Sequence, residues 1–330
     1  MSDVQRTAIL AVSSEIPTKV LSNDDLAEMV DTNDEWIVTR TGIRERRILS
    51  EDERLADFAS AAGRKAIQKA GLSKDDIDLV IVSTFTPERL CPSISCEVQE
   101  QLDLGRTPAM DVNAACSGFV YGLHLAHGLI SAGMHKNILL IGAEAHSRIV
   151  DFTDRSTCIL FGDGASAVVV GTANNGSGIY GSVLGADGKG KELITVNPGE
   201  EPLDPSLSKN SATPRQLLRM QGREVFRFAV NMVGEALDEV LAASGLQPTD
   251  VDLLVPHQAN IRIIQAAAKR LSLPEEKVFV NIERYGNTAA ASIPIALDEA
   301  EQSGRLKKGD TVVTVGFGAG FTYGATIFKW

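Results

Sequence analysis

The sequence predicts an α/β protein of two similar halves, each a sheet of parallel strands covered by helices on both faces, and three repeated features carry that prediction. Ala70-Gly71-Leu72 followed by KDDIDLVIVS (Lys74 to Ser83) returns 174 residues later as Ser244-Gly245-Leu246 followed by PTDVDLLVPH (Pro248 to His257). In both copies an amphipathic helical pattern, Phe58 to Lys69 and Val225 to Ala243, is closed by glycine, turns through polar residues and enters a largely apolar run of strand length. Further on, Ser131-Ala132-Gly133 precedes NILLIGAEA as Gln302-Ser303-Gly304 precedes DTVVTVGFGAG, an offset of 171.

Between those landmarks the halves also correspond. Met110 to Asn113 and Val278 to Ile282 read as strands leading through small residues into helices, the first with helical spacing at Phe119, Val120, Leu123, Ala126 and Ile130. Aligning Gly133 with Gly304 sets Cys116 opposite Asn287, and the earlier repeat sets Ser83 opposite His257. The stretch Gly171 to Gly178 marks the seam, giving an N-terminal half over 1–173 and a C-terminal half over 174–330. Strand ends related by a pseudo-two-fold axis converge, so one cleft should draw residues from both halves.

A chain of 330 residues, 44% hydrophobic and 23% charged, can bury a sizeable core. Its net charge of −11 argues against general nucleic-acid binding, which needs a basic surface to displace counterions. No stretch approaches about eighteen uninterrupted apolar residues and MSDVQRTAIL lacks the form of a secretory signal, so a cytoplasmic protein without a membrane span is expected. Cys91, Cys96, Cys116 and Cys158 are too sparse for a disulfide framework, and Cys91 and Cys96 lack metal-ligand spacing, so free thiols are expected. Arg215, Arg219, Arg223 and Arg227 recur every four residues, which on a helix makes one basic stripe.

Three polar residues stand where the halves converge. Cys116, in DVNAACSGF, follows a strand and precedes a helix, where free N–H groups and the macrodipole favour thiolate. The residues alone leave two readings for it, an inert buried thiol or a nucleophile. His257 ends the run VDLLVPH, so its imidazole should emerge at the carboxyl end of a sheet, where open α/β sheets bind ligands. Asn287, in ERYGNTAAAS, would ordinarily be a turn residue; its place in the repeat sets it against Cys116. The turn Gly316 to Phe321 is glycine-rich without the helix and acidic residue of a dinucleotide site, and suits a close backbone approach to an oxyanion better.

Seven segments in order then make the chain resemble the 3-oxoacyl-[acyl-carrier-protein] synthase III family: DTNDEWIVTRTGIRER (Asp31 to Arg46), AACSGF (Ala114 to Phe119), TDRST (Thr153 to Thr157), FGDGA (Phe161 to Ala165), VPHQANIRI (Val255 to Ile263), GNTAAAS (Gly286 to Ser292) and GFGAGFTYG (Gly316 to Gly324). The resemblance implies a five-layered αβαβα thiolase-like fold, a homodimer, and decarboxylative condensation of an acyl-CoA with malonyl-acyl carrier protein, with no metal or redox cofactor. It also implies roles: Cys116 as acylated nucleophile, His257 and Asn287 as donors to the malonyl thioester, and the N–H groups of Cys116 and Ala319 as an oxyanion hole. Trp36, Arg40 and Arg155 are similar to family residues that hold the CoA nucleotide, Phe226 and Asn260 to residues along the pantetheine tunnel. Arg227, Arg262, Lys269 and Arg270 form the expected basic docking surface for the acidic carrier. Cys91 aligns with the residue that closes the far end of the acyl pocket across the dimer. Ala319 and Ser166 stand where many relatives have glycine; the sequence explains the first, whose backbone is what matters, and not the second.

Three other classes share part of this pattern. A cysteine hydrolase pairs Cys, His and Asn but admits water to the acyl-enzyme. A specialised relative would use the same three residues to make a quinolone or polyketide. A non-catalytic CoA-binding protein would form no covalent adduct.

Overall fold

The computed structural model describes residues 7–173, 176–197 and 217–330. Its first strands are β1 (Thr7–Glu15), β2 (Val20–Ser22), β3 (Glu45–Arg47), β4 (Leu79–Ser83), β5 (Ala109–Val112), β6 (Ile138–Glu144) and β7 (Gly164–Thr172). Then follow β8 (Gly178–Ala186), β9 (Ile194–Asn197), β10 (Leu217–Met220), β11 (Leu253–Pro256), β12 (Thr311–Phe317) and β13 (Thr322–Lys329). Two sheets dominate, in the orders β1-β7-β6-β4-β5 and β11-β12-β13-β8. Each is mixed rather than wholly parallel. β4 runs parallel to β5 and β6, and β11 to β12, while β7 and β13 return antiparallel. For β12 and β13 the reason is the short turn Gly318–Phe321, which can join only antiparallel neighbours.

The apolar clusters define five layers. Helix Leu55–Lys69 covers the outer face of the first sheet. Helices Gly118–Ser131 and Ser292–Gln302 pack between the two sheets, joining Ile138 and Val168 of one to Val255 and Val312 of the other. Helices Gly222–Ser244 and Ile261–Arg270 cover the outer face of the second sheet. Burial on both faces is why β4 and β6 read as unbroken apolar runs: every residue of both is buried.

Two expectations about the repeat change. Val278 to Ile282 is not a strand: Val278 makes one isolated bridge to Leu254, and Ile282 opens the short helix Ile282–Tyr285. The register around Cys116 also shifts by three. Ala115 and Ala289 both take a positive φ, each begins a 3₁₀ turn, and each turn runs into a central helix, at Gly118 and Ser292. Cys116 therefore lies opposite Ala290, and Asn287 opposite Asn113. The closing glycines misaligned the heads of these helices because one helix has 14 residues and the other 11. Ser166 finds its reason here: its hydroxyl accepts from Ser14 Oγ at 3.0 Å and donates to the Ser13 carbonyl at 3.0 Å, within the buried β1/β7 ladder.

Candidate active site

A cavity of about 1130 Å³ opens between the halves, and Cys116, His257, Asn287 and Ala319 all line it. Cys116 is placed by the 3₁₀ turn Ala115–Ser117 that follows β5, two residues before the helix start at Gly118. His257 stands immediately after β11, its N–H donating to Val315 of β12 at 2.8 Å, which fixes the backbone at the sheet's carboxyl end. Asn287 leaves the Ile282–Tyr285 helix through Gly286, whose φ of 61° lets the chain turn back beside Leu160.

The polar atoms are directed by specific partners. Asn287 Oδ1 accepts from the Ala289 N–H at 2.8 Å, which fixes the amide and leaves Nδ2 as the free donor. Ser292 Oγ lies 2.6 Å from His257 Nδ1, while Nε2 makes no hydrogen bond among the described residues. The Phe317 ring meets the imidazole edge-on at 5.3 Å. Burial pushes the His257 pKa down to about 3, with His146 adding to the effect, so the ring is neutral at physiological pH.

Cys116 departs from what its helix-terminal setting suggested. Enclosure pushes the thiol pKa up, and the nearby Glu144 carboxylate pushes it further, against a smaller opposing contribution from its own backbone N–H. The thiol is therefore protonated at rest. Its N–H and that of Ala319 each stand in the first turn of a 3₁₀ segment, where no intrahelical acceptor exists. Gly318 brings the two segments together: a Cβ there would sit 2.7 Å from the Cys116 nitrogen. The left-handed positions of this turn fall on Gly320, at φ 70°, and Phe321, at φ 46°, so Ala319 carries no strain of that kind.

Toward the mouth, Trp36 is covered by the guanidinium groups of Arg40 and Arg155, 4.4 and 4.8 Å from its ring centroid. Asn260 caps the helix Ile261–Arg270 through Oδ1 and donates from Nδ2 to the Arg40 carbonyl at 3.0 Å, tying the mouth's two sides together. Trp36, Arg40, Phe226, Asn260 and Arg262 line the cavity; Arg155 reaches it through the Trp36 face. Arg227 and Lys269 are exposed and do not line it, whereas Arg270 is engaged with Asp238 and its charge is compensated. Cys91 is exposed and outside the cavity of its own chain, which Leu90 lines instead.

The basic stripe dissolves: Arg219 lies on β10 and pairs with Asp151 at 3.0 Å, Arg223 and Arg227 lie on the following helix, and Arg215 falls outside the described residues. Reading the sequence also missed Glu144, His146 and Ser292. A charged residue ending the buried strand NILLIGAE was the available signal for the first. Among the described residues no group of three or more His, Cys, Asp or Glu side chains is arranged to hold a metal ion, and no helix is long and apolar enough to cross a membrane.

Two family models match, the 3-oxoacyl-[acyl-carrier-protein] synthase III model over residues 110–188 and its C-terminal counterpart over 241–330. A beta-ketoacyl-[acyl-carrier-protein] synthase III of Caldanaerobacter subterraneus is 48% identical over 325 residues, covering 98% of this chain and 97% of that protein. The chain belongs to the 3-oxoacyl-[acyl-carrier-protein] synthase III family. Another synthase III, from Clostridioides difficile, is likewise 48% identical across 98% of both chains. The crystal structure of the Aquifex aeolicus synthase III superposes with a TM-score of 0.91 at 46% identity, covering 98% of this chain and all of that one. As a synthase III family member the chain is a condensing acyltransferase with the thiolase-like fold, and the layers described above are that fold's αβαβα order.

Proposed function

We propose that the chain joins an acyl group from acyl-CoA to malonyl-acyl carrier protein, giving 3-oxoacyl-acyl carrier protein, CoA and CO₂, the initiating condensation of fatty-acid synthesis. The observation that carries the division of labour is the placement of one partly accessible thiol and two oriented donors, Cys116, His257 and Asn287, on a single cavity.

Cys116 sulfur attacks the acyl-CoA carbonyl, the N–H groups of Cys116 and Ala319 receive the developing oxyanion, and collapse expels CoA. The thiol's proton ends on the departing CoA sulfur, so the raised thiol pKa couples deprotonation to attack. Malonyl carrier then enters the same tunnel. Loss of CO₂ leaves its electron pair in the thioester as an enolate, whose oxygen accepts from Asn287 Nδ2 and from His257 Nε2, the nitrogen that carries the ring proton when the Ser292 hydroxyl donates to Nδ1. The α-carbon attacks the acyl-enzyme carbonyl and Cys116 leaves as thiolate. A neutral His257 suits this step, since it stabilises negative charge as a donor with no proton to lose first.

Trp36, Arg40 and Arg155 supply a cationic, aromatic site for the CoA nucleotide, and Phe226 and Asn260 a path for the pantetheine arm. Arg227, Arg262 and Lys269 give the net-acidic chain a local basic surface for an acidic carrier. β5 is one of the two edge strands of the first sheet and carries exposed Met110, while Leu90 lines the cavity yet is 87% exposed. A second copy paired along that edge would cover both and bring its own Cys91 toward the acyl end of the cavity. The test uses intact-mass spectrometry after incubation with acyl-CoAs, with CO₂ release from malonyl-carrier measured in parallel. An acyl adduct with malonyl-dependent CO₂ release supports the reading; an adduct that only hydrolyses would replace it with a thioesterase.

A further inference from the structure

Behind the cavity wall lies a fully buried histidine for which the condensation has no task. His146 opens the turn after β6, and its imidazole packs against two phenylalanines that line the cavity, Phe161 stacked at 4.9 Å and Phe85 edge-on at 5.3 Å. Its single hydrogen bond runs from Nδ1 to the Gly162 carbonyl at 2.8 Å. A carbonyl only accepts, so Nδ1 carries the proton. Nε2 makes no hydrogen bond among the described residues, and burial lowers the pKa to about 4, which keeps the ring neutral at working pH.

What this bond holds is the backbone of Asn287. The Gly162 N–H donates to the Asn287 carbonyl at 3.0 Å, and the Asn287 N–H donates to the Leu160 carbonyl at 2.8 Å, so that Phe161 and Asn287 form an isolated parallel bridge. The middle of this clamp is a glycine whose missing Cβ would lie 2.2 Å from the Tyr285 carbonyl oxygen. Glycine permits the close approach, yet it is also the residue least able to hold one conformation without an outside partner. Two residues before His146, the Glu144 carboxylate receives the N–H of Ala290, so the end of β6 touches the catalytic turn at a second point.

We propose that His146 is a positioning residue for Asn287: by holding the Gly162 carbonyl it fixes the bridge that aims the Asn287 amide into the cavity. The inference rests on the assignment of Asn287 to enolate stabilisation. His146 touches no reacting atom, and its contribution is confined to the malonyl half-reaction.

The experiment compares His146→Leu, which loses the donor, His146→Gln, whose amide reaches the Nε2 position, and His146→Asn, whose amide reaches the Nδ1 position. Leu and Gln should lower malonyl decarboxylation by roughly ten- to a hundredfold, the scale expected when a reacting group is misplaced by about an ångström. Acylation of Cys116, followed by intact mass, should stay within about twofold. Asn should recover most of the lost decarboxylation. If Leu does not fold, the Gln and Asn pair decides. The proposal is overturned if Leu and Gln decarboxylate like wild type, if both half-reactions fall together, or if Asn is no better than Gln. Asn287→Ala is run alongside. Decarboxylation that survives it removes the Asn287 assignment and this proposal with it, whereas decarboxylation lost there but intact in the His146 variants removes the positioning role alone.

Discussion

The turn Asn113–Gly118 of the first half and the turn Asn287–Ser292 of the second are built on one plan. Each begins with an asparagine whose side-chain oxygen accepts the N–H two residues on, at 3.2 and 2.8 Å. Each continues through an alanine at positive φ, 47° and 41°, and a 3₁₀ turn into a central helix. The chemistry differs because different positions of the shared frame are used. The first half carries Cys116, the proposed nucleophile, at the fourth residue; the second places Ala290 there, and the leading asparagines of both turns, Asn113 and Asn287, line the cavity. The surroundings diverge as well, Cys116 lining the cavity and the N–H of Ala290 facing Glu144. The two halves thus share equivalent helix-entry turns, and on the proposed function their side chains divide the half-reactions between them.

Removing the nucleophile gives the largest effect. Cys116→Ala should form no acyl-enzyme by intact mass, while Ala variants of Cys91, Cys96 and Cys158 acylate fully; an adduct mapped to another cysteine would falsify the assignment.

Removing the second half's donors should spare acylation. His257→Ala and Asn287→Ala are each expected to lose about 10²–10³-fold in malonyl decarboxylation, the cost typical of an oxyanion donor. The half-reactions should also separate by pH. Acylation should rise with pH as the hindered thiol ionises, and decarboxylation should stay flat above about pH 5, because His257 remains neutral down to about pH 3. Parallel profiles would mean that one titrating group serves both steps.

Glu144 is where the two turns influence each other. Burial raises its pKa to about 8, against donors from Thr86, Phe85, Thr84 and Ala290. Glu144→Gln removes a charge that opposes the Cys116 thiolate, so iodoacetamide should alkylate Cys116 several-fold faster near pH 8. The stability sign is opposite to that of an ordinary salt-bridged carboxylate. The folded pKa exceeds the ordinary glutamate value of 4.5, so the contribution is fully present below pH 4.5 and is lost as pH rises through about 8. Melting temperatures of Glu144→Gln should therefore decline less than wild type over that window, and an identical decline would remove Glu144 from the account.

Two smaller effects test how each half meets its substrate. Arg262→Glu with Lys269→Glu should raise KM for malonyl carrier several-fold in low salt and much less in high salt, leaving acylation by acyl-CoA nearly unchanged. Cys91→Phe should act on the primer alone, reducing kcat/KM for hexanoyl- and longer acyl-CoAs relative to acetyl-CoA. Each methylene excluded from an apolar pocket is worth about 0.8 kcal/mol, so two or three suffice to see it. A wild-type preference for acetyl-CoA that Cys91→Phe does not alter would remove Cys91 from the pocket.

The element pattern was readable because burial on both faces leaves a local trace: LVIVS and ILLIGAE admit few readings once a glycine-closed helix precedes them. His257 could be placed because it directly follows such a strand. Asn287 was found for a partly mistaken reason, since the alignment that set it opposite Cys116 was three residues out of register. The two helices differ in length, and helix length leaves no fixed mark at the head of the helix.

Sequence by itself determined the two-half α/β plan, the family, and which cysteine, histidine and asparagine share a cleft, because local periodicity and a string of short motifs encode all of these. Tertiary structure alone decided the protonation of Cys116, the pairing of His257 with Ser292, the compensation of Arg270 by Asp238, and the bracing of Asn287 through Gly162 by His146. Each of these depends on burial or on partners from 16 to 35 residues distant in the chain, or from the other half. Desolvation and hydrogen-bond direction are properties of the packed surroundings, and they exist only once the two sheets have closed over the central helices.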